Sequence, residues 1–314
     1  MKPGALSATQ IMWITIAALV PGALCQAWLF GASVVSQVLV AMVIGAITEA
    51  ACTRLRGQPL ARARLVDGSS ALTAALIALA LPPNVPLPVL AIAVISGLGL
   101  GKFAYGGLGN NLFNPAMVGY LVVLVSFPQH LASWVGLDGL SGATPLDQFS
   151  HRGGATVAEF RSGPAFGSVG GQGWEWINAG FALGGLVLIG LRIIHWRVPL
   201  ALLASLSCCA LLGYDNGSSS SHGAPLYHVF TGASCITAFF IATDPVTQPT
   251  DPRAQWLFGL LIGLLIYVIR SFGTYADGAA FAVLLANGCA PLLQARASRW
   301  QQARRTVVRE RADP

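Results

Sequence analysis

The membrane architecture follows from residues 68–78, Gly68-Ser-Ser-Ala-Leu-Thr-Ala-Ala-Leu-Ile-Ala78, and from their repeat, Gly232-Ala-Ser-Cys-Ile-Thr-Ala-Phe-Phe-Ile-Ala242. Six of the eleven positions are identical, at a constant offset of 164 residues. Each stretch runs into prolines and is shorter than the roughly 20 residues that cross a bilayer. Short, proline-interrupted apolar segments at matching places in two halves are typical of transporter-like folds with a central binding site.

Both stretches stand third in a group of five apolar segments. Eight of the ten segments reach the length of a membrane span or its lower edge, about 17 residues. Because five is an odd number, the second group is expected to run inverted to the first. We therefore predict an all-α polytopic membrane protein with about ten transmembrane segments in two inverted five-segment repeats, the third segment of each being short and broken. The ten segments are Ile11–Phe30, Ser33–Cys52, Gly68–Leu81, Val85–Gly101, Asn111–Phe127, Trp174–Leu191, Trp196–Leu212, Val229–Thr243, Ala254–Arg270 and Asp277–Leu293.

Composition supports a membrane protein. Hydrophobic residues make up 54% of the 314 residues and charged residues 10%, against about 25% charged in a soluble domain. The net charge of +6 does not indicate nucleic-acid binding, because the basic residues lie in short gaps between apolar runs. If the N-terminus is cytoplasmic, 15 of the 18 basic residues fall inside and only Arg152, Arg161 and Arg270 outside, as the positive-inside rule requires.

This orientation divides the chain into four parts and predicts a multi-pass membrane protein. Both termini are expected in the cytoplasm, and the one long loop is expected on the outer side. The parts are a first membrane repeat (1–127), an extracytoplasmic loop (128–173), a second membrane repeat (174–295) and a basic cytoplasmic tail (296–314).

Polar residues at the membrane edges are candidate sites, because they are costly to place there. The run Gly106-Gly-Leu-Gly-Asn-Asn-Leu-Phe-Asn114 contains Asn111 and Asn114, three residues apart. They either bond to neighbouring helices or contact a ring with an amide-like polar edge. The candidate carboxylates within the apolar segments or at their edges are Glu49, Asp67, Asp244 and Asp277. For Asp244 and Asp277, a helix cap and an ion path are both open.

The long loop contains Asp138-Gly-Leu-Ser-Gly-Ala-Thr144-Pro145. Taken alone, this string is either an ordinary turn or a site at which a hydroxyl is presented to a modifying enzyme. Pro145 biases Thr144 towards an extended conformation, which suits presentation of the hydroxyl, but the bare string by itself favours the ordinary turn.

Several motifs together resemble the D subunits of Rnf electron-transport complexes and, more distantly, the B subunits of sodium-pumping NADH:quinone oxidoreductases. The resemblance runs in order from about Trp13 to Leu293. It rests on the Gly106–Asn114 run with Pro-Ala-Met after it, the Thr144 loop, Gly173-Trp-Glu-Trp176, Phe239-Phe-Ile-Ala-Thr-Asp-Pro245 and Asp277-Gly-Ala-Ala-Phe-Ala-Val-Leu-Leu-Ala-Asn287.

The resemblance implies FMN joined through its phosphate to the Thr144 hydroxyl by a flavin transferase. The attachment motif includes Asp138, Ser141, Gly142 and Ala143. In the related B subunits a non-covalent riboflavin lies near an asparagine motif, so Asn111 and Asn114 are candidate contacts for a second flavin.

The implied function is electron relay within a complex that links ferredoxin and NAD and moves Na⁺ or H⁺. The resemblance also implies a location in the bacterial inner membrane, with the Thr144 loop on the periplasmic side. The expected partners are the other membrane and peripheral subunits, including an FMN-bearing subunit and iron–sulfur subunits, as well as the lipid bilayer. The chain has no NAD or iron–sulfur motif, so it is expected to act as part of a translocase and not alone. The alternative is a non-redox channel or transporter for an ion or small polar solute, which has no use for a flavin anchor.

Overall fold

The computed structural model describes residues 6–59, 67–135, 141–275 and 277–312, with only the backbone described at Val135, Ser141 and 301–312. In these ranges the protein is almost entirely helical, which confirms the all-α prediction. Every one of the ten apolar segments contains helix. The helices of the first half are α1 (Ala8–Phe30), α2 (Ser33–Leu55), α3 (Ser69–Ala80), α4 (Leu87–Leu98, continued by a π-helical turn, Gly99–Phe103) and α5 (Pro115–Ser126).

Short elements form the segment between the halves. They are α6 (Pro128–Ala132), β1 (Trp134–Val135), β2 (Ser141–Gly142), α7 (Pro145–Ser150) and α8 (Val157–Arg161). The two strands pair antiparallel, with Trp134 opposite Gly142.

The second half follows the same plan as the first. Its elements are α9 (Trp174–Gly190), α10 (Arg197–Leu212), a 3₁₀ turn (Asp215–Gly217), α11 (Pro225–Val229), α12 (Ser234–Ile236, continued by a π-helical turn, Thr237–Ile241), α13 (Pro252–Phe272) and α14 (Ala279–Ala312).

Four helices of the described chain are long and apolar enough to span a membrane: α1, α2, α13 and the Ala279–Trp300 part of α14. Five more apolar helices have 10–17 residues, so fewer helices reach full length than the eight predicted. The fifth segment shows the reason. Asn114 caps α5 by accepting hydrogen bonds from the N–H groups of Ala116 and Met117, and Pro115 suits the first helical position. The helix therefore begins four residues later than the apolar run.

Corresponding helices begin at nearly the same offset as the sequence repeat. Ser33 of α2 and Arg197 of α10 lie 164 residues apart, as do Pro115 of α5 and Ala279 of α14. The two short helices, α3 and α12, run in opposite directions. The first turns of α3 line the same cavity as the residues at the end of α12, and the first turn of α12 lines another cavity with the end of α3.

Glycines let neighbouring helices approach closely. In α13, a Cβ atom at Gly259 would lie 2.6 Å from the Val198 carbonyl oxygen of α10, and one at Gly263 would lie 2.3 Å from that of Leu202. This Gly-x-x-x-Gly spacing is typical of close helix packing in membranes. It brings α13 close to α10, which also packs against the π-helical turn that continues α12.

Candidate functional site

A buried ion pair lies at the N-terminus of α3. The Lys102 ammonium of the π-helical turn is 2.7 Å from Glu49 Oε2 of α2, and it donates to the hydroxyls of Ser69 (2.9 Å) and Ser70 (3.0 Å). The Ser70 hydroxyl also donates to Glu49. The charge count places Lys102 in an inner gap, but its side chain is 3% exposed. Its burial is tolerated because a carboxylate and two hydroxyls receive its three protons.

A second ion pair lies at the N-terminus of α12. Asp277 Oδ1 is 3.1 Å from an Arg270 guanidinium nitrogen, and Asp277 Oδ2 accepts the backbone N–H of Ala233 at 2.7 Å. Arg270 also donates to the His228 carbonyl at 2.8 Å. The charge count places Arg270 on the outer side, and the structure buries its side chain in the last turn of α13, where Asp277 neutralises it. Asp277 therefore acts as a cap and as an ion-pair partner.

Amide side chains satisfy the broken ends of both short helices, which have no water to bond to in a bilayer. Gln26 of α1 donates to the Leu79 carbonyl, and Gln37 of α2 donates to the Ala78 and Pro82 carbonyls, all near the end of α3. Asn178 of α9 donates to the Gly232 carbonyl and accepts the Cys235 N–H at the start of α12. The sequence analysis did not identify these three amides as functional residues. The feature that could have indicated them is that each is the one Asn or Gln in its apolar segment.

Asn111 and Asn114 are both buried. Besides capping α5, Asn114 donates to the Ile241 carbonyl of α12 at 3.2 Å, and its own N–H donates to the Asn287 side chain at 3.0 Å. Asn111 donates to the Phe113 carbonyl at 3.2 Å. Asn114 thus joins α5 to α12 and α14, a role in helix packing that was one of its two predicted roles.

A cavity of about 90 Å³ lies beside these asparagines. Its polar lining includes Lys102, Asn111 and Asp244. Asp244 accepts the Val246 N–H and the Thr247 hydroxyl, at 3.2 and 3.1 Å, so it closes the turn after α12. Asp244 and Asp277 line different cavities, and the structure does not bring them together.

The larger cavity, of about 290 Å³, opens towards the segment between the halves. Thr15 of α1 lines the small cavity and Gln26 the large one; eleven residues separate them, or about 16 Å along a helix. The large cavity has an aromatic wall, in which the Trp134 and Trp174 rings lie 4.8 Å apart, edge to face. Deeper in the cavity, Thr237 is fully buried, and its hydroxyl has no hydrogen-bond partner among the described residues. The aromatic lining comprises Tyr120, Trp134, Trp174, Phe181 and Tyr275.

Thr144 lines this cavity and is half-buried. It is the N-cap of α7, where its hydroxyl oxygen accepts the Asp147 N–H at 3.2 Å. The hydroxyl's own proton is not used in this bond. Of the other predicted motif residues, Gly142 and Ala143 are exposed, Ser141 belongs to β2, and Asp138 lies outside the described residues.

An aromatic cluster holds the segment that follows Thr144. The Tyr227 hydroxyl donates to the Pro145 carbonyl at 2.7 Å. The Tyr227 ring contacts Phe149, Phe160 and Phe166, with centroids 5.0, 6.0 and 5.7 Å away. Thr144 is therefore held at the edge of the cavity by a small folded unit with its own apolar core.

His228 and Arg152, at this unit, have lowered pKa values. Burial lowers the pKa of His228 to about 4, and the nearby Arg270 guanidinium adds to the effect. Burial also lowers the pKa of Arg152. Arg152 donates to the Ala155 and Ser219 carbonyls, each at 2.8 Å, and so ties the segment between the halves to the loop after α10.

Comparison with known proteins gives one consistent result. The family model described as "NQR2, RnfD, RnfE family" matches residues 4–300. Among curated proteins, the D subunit of the ion-translocating oxidoreductase complex of Aeromonas hydrophila subsp. hydrophila is 43% identical, with 90% of this chain and 91% of that protein covered. The proteins of the same name from Yersinia pseudotuberculosis and Pseudomonas aeruginosa are 40% and 43% identical, covering 91% and 90% of this chain and 92% and 88% of their own lengths.

Proposed function

The chain belongs to the NQR2, RnfD, RnfE family, and from this premise we propose that it is a membrane component of an ion-translocating oxidoreductase complex and relays electrons through FMN joined to Thr144. The relatives, each named as the D subunit of such a complex, align with about nine-tenths of this chain. The alignment also covers about nine-tenths of those relatives, so it includes most of the subunit and not a single shared segment.

The position of Thr144 carries the flavin proposal. Its hydroxyl stands at a cavity of about 290 Å³ with aromatic walls, near the lower end of the roughly 300–1,000 Å³ of ligand pockets. The residues present suit a flavin. Trp134 and Trp174 offer ring faces, and the unpartnered Thr237 hydroxyl offers a hydrogen bond to a polar ring edge. The flavin supplies one-electron chemistry, whereas the chain supplies position and electrostatics.

The chain's own residues would keep this site dry and oriented. Tyr227 holds Pro145, so the residue after the anchor cannot move far from the cavity. Trp174 and Phe181 are buried walls that exclude water from the ring. The Thr144 oxygen can keep accepting the Asp147 N–H after its proton is replaced, because that bond does not use the hydroxyl proton.

Ion coupling is part of the same proposal. Two cavities approach the short helices from different ends of α1, and Asp277 and Asp244 are the carboxylates that we assign to an Na⁺ or H⁺ path. The matching test is ion uptake by vesicles that contain the whole complex. Asp277→Asn and Asp244→Asn should each reduce uptake while covalent flavin remains, since asparagine keeps the size of the side chain and one acceptor oxygen for capping but not the charge. Full uptake in both variants would remove these residues from the path.

The membrane location, the partner subunits and a second flavin belong to the same proposal. We propose a bacterial inner-membrane location with the Thr144 segment on the periplasmic side, where a flavin transferase acts, and contacts with FMN-bearing and iron–sulfur subunits. A non-covalent riboflavin is assigned to the cavity beside Asn111 and Asn114. That cavity measures about 90 Å³, so it must widen to admit the ring.

A matched pair of variants tests the flavin anchor. Thr144 and Thr156 are both half-buried threonines that cap short helices, each accepting an N–H at 3.2 Å. Thr144→Ala should abolish flavin fluorescence of the denatured chain in a gel, and the mass increment of a phosphoester-linked FMN should disappear. Thr156→Ala should keep both. A wild-type chain without covalent flavin would favour a non-redox channel instead.

A further inference from the structure

Gly232 joins the Thr144 segment to the second ion pair. A Cβ atom at Gly232 would lie 2.5 Å from Asp277 Oδ2, 2.6 Å from Leu146 Cδ1 and 2.9 Å from an Arg270 guanidinium nitrogen. Leu146 is two residues after Thr144. The absence of a side chain at Gly232, which has a φ of +66°, therefore lets the ion pair approach the segment that bears the proposed flavin.

The two charged side chains of this ion pair differ in their exposure. The Asp277 side chain is 21% exposed, while that of Arg270 is 1% exposed. Asp277 lines the large cavity, and Arg270 is not among the lining residues. The carboxylate thus faces the cavity, with the guanidinium behind it. Among the described lining residues, the other charged side chain is Asp147, which is 40% exposed beside His151 and so is screened by water.

We propose that Asp277, held and balanced by Arg270, sets the reduction potential of the flavin in the large cavity. This inference rests on the proposed function, because it requires a flavin at Thr144. An electron added to a flavin brings negative charge, and a nearby carboxylate opposes it while a nearby guanidinium favours it. Both effects are stronger in a poorly hydrated cavity than in water. Charges near the ring are a principal means by which proteins tune flavins.

The same carboxylate also bonds to the start of α12. Asp277 Oδ2 accepts the Ala233 N–H, and the ion pair is one unit with the first turn of the short helix. Negative charge added to the flavin therefore acts on the Asp277 carboxylate, which caps the start of α12. This contact gives the flavin's redox state a direct physical route to that helix.

Opposite shifts in two variants test the inference. The full chain, purified in detergent with its covalent flavin, is titrated with dithionite and followed by visible absorption. Asp277→Asn removes the negative charge and leaves Arg270 unbalanced, so the potential should rise. Arg270→Gln leaves Asp277 unbalanced, so the potential should fall. Each shift should change the equilibrium constant at least about tenfold, which is about 59 mV for one electron.

Controls separate this inference from the proposed function. Glu159→Gln removes the charge of an exposed carboxylate that lines neither cavity and should leave the potential unchanged. Arg270→Lys keeps the charge and should restore the potential if Arg270→Gln lowers it. Asp277 accepts the Ala233 and Ala279 N–H groups through different oxygens, and asparagine can keep only one of these bonds, so thermal unfolding checks that Asp277→Asn keeps the fold. With the fold retained, Asp277→Asn decides the question even if Arg270→Gln does not fold.

Different results would contradict the flavin anchor at Thr144 and the role of Asp277. A flavin that persists in Thr144→Ala contradicts the anchor and the proposed function. A flavin attached at Thr144, with the same potential in wild type and in Asp277→Asn, overturns the role of Asp277 and leaves the anchor intact. A shift as large in Glu159→Gln as in Asp277→Asn also overturns it, since the effect would then not be specific to the cavity.

Discussion

Lys102 and Glu49 form an ion pair with an N–O distance of 2.7 Å, and both side chains are 3% exposed. They lie 53 residues apart in the chain and meet where α3 begins. Arg270 and Asp277 form the corresponding pair at the start of α12. Each broken helix therefore begins beside a carboxylate that is neutralised by a basic side chain of the same protein.

The Lys102–Glu49 pair should be costly to break. Lys102→Met leaves a buried carboxylate without its counter-charge, which typically costs about 3–5 kcal/mol. Adding Glu49→Gln should recover most of this loss, because the unpaired charge is then gone. The measurement is thermal unfolding of the purified chain in detergent. The exposed Arg54 serves as the control, and Arg54→Met should change stability by less than about 0.5 kcal/mol. A Lys102→Met chain as stable as the parent would contradict the prediction.

Gly232→Ala should destabilise the protein by more than about 1 kcal/mol. A side chain strains the backbone at a φ of +66° and also collides with Asp277 and Leu146. Gly190→Ala is the control, since Gly190 ends α9 with open space around it; it should be neutral or slightly stabilising. Limited proteolysis of the 128–173 segment is the second measurement, and it should accelerate only in Gly232→Ala. Equal effects of the two substitutions would show that Gly232 has no special role.

The unit around Thr144 should loosen in mild acid. His228 has a pKa of about 4 in the folded protein against 6.5 unperturbed, so the unfolded state binds the proton more readily. Stability is then complete above about pH 7 and falls as the pH drops from about 6.5 towards 4, by up to about 3 kcal/mol. Amide hydrogen exchange of residues 145–161 at pH 7 and pH 5 measures the effect.

Substitutions identify the group responsible for the acid effect. His228→Gln removes the titration while keeping a donor for the His222 carbonyl, and should abolish the difference between the two pH values. His151, whose side chain is 75% exposed, is the matched control, and His151→Gln should leave the difference as it is. The same pH dependence in His228→Gln and the parent would assign the effect to another group.

Orientation can be tested at two exposed positions. Ala143→Cys should react with a membrane-impermeant maleimide in intact cells, because the Thr144 segment is predicted to face outwards. Arg54→Cys, at the end of α2, should react only after lysis. Labelling is read against the parent chain, which contains six cysteines of its own. The reverse pattern would invert the topology.

The sequence was informative wherever a local property decides the outcome. Gly68 and Gly232 show the repeat, and both adopt a positive φ at the start of a short helix. The aromatic wall could not be predicted, because Trp134 and Trp174 are 40 residues apart and meet only when the two halves pack. The charge count also had a limit: it treats Lys102 and Arg270 as solvated, whereas each is buried against a carboxylate.

The sequence alone determined the all-α membrane class, the ten apolar segments and the two interrupted ones, because hydrophobicity, segment length and proline are properties of contiguous residues. The tertiary structure decided where the helices stop, which carboxylate pairs with which cation, and that Thr144 stands over an aromatic cavity rather than in a plain turn. These outcomes depend on contacts such as that of Leu146 with Gly232, made by residues 86 apart in the chain. Such contacts exist only when the segment between the halves packs against the second half, and no local pattern in the chain encodes that approach.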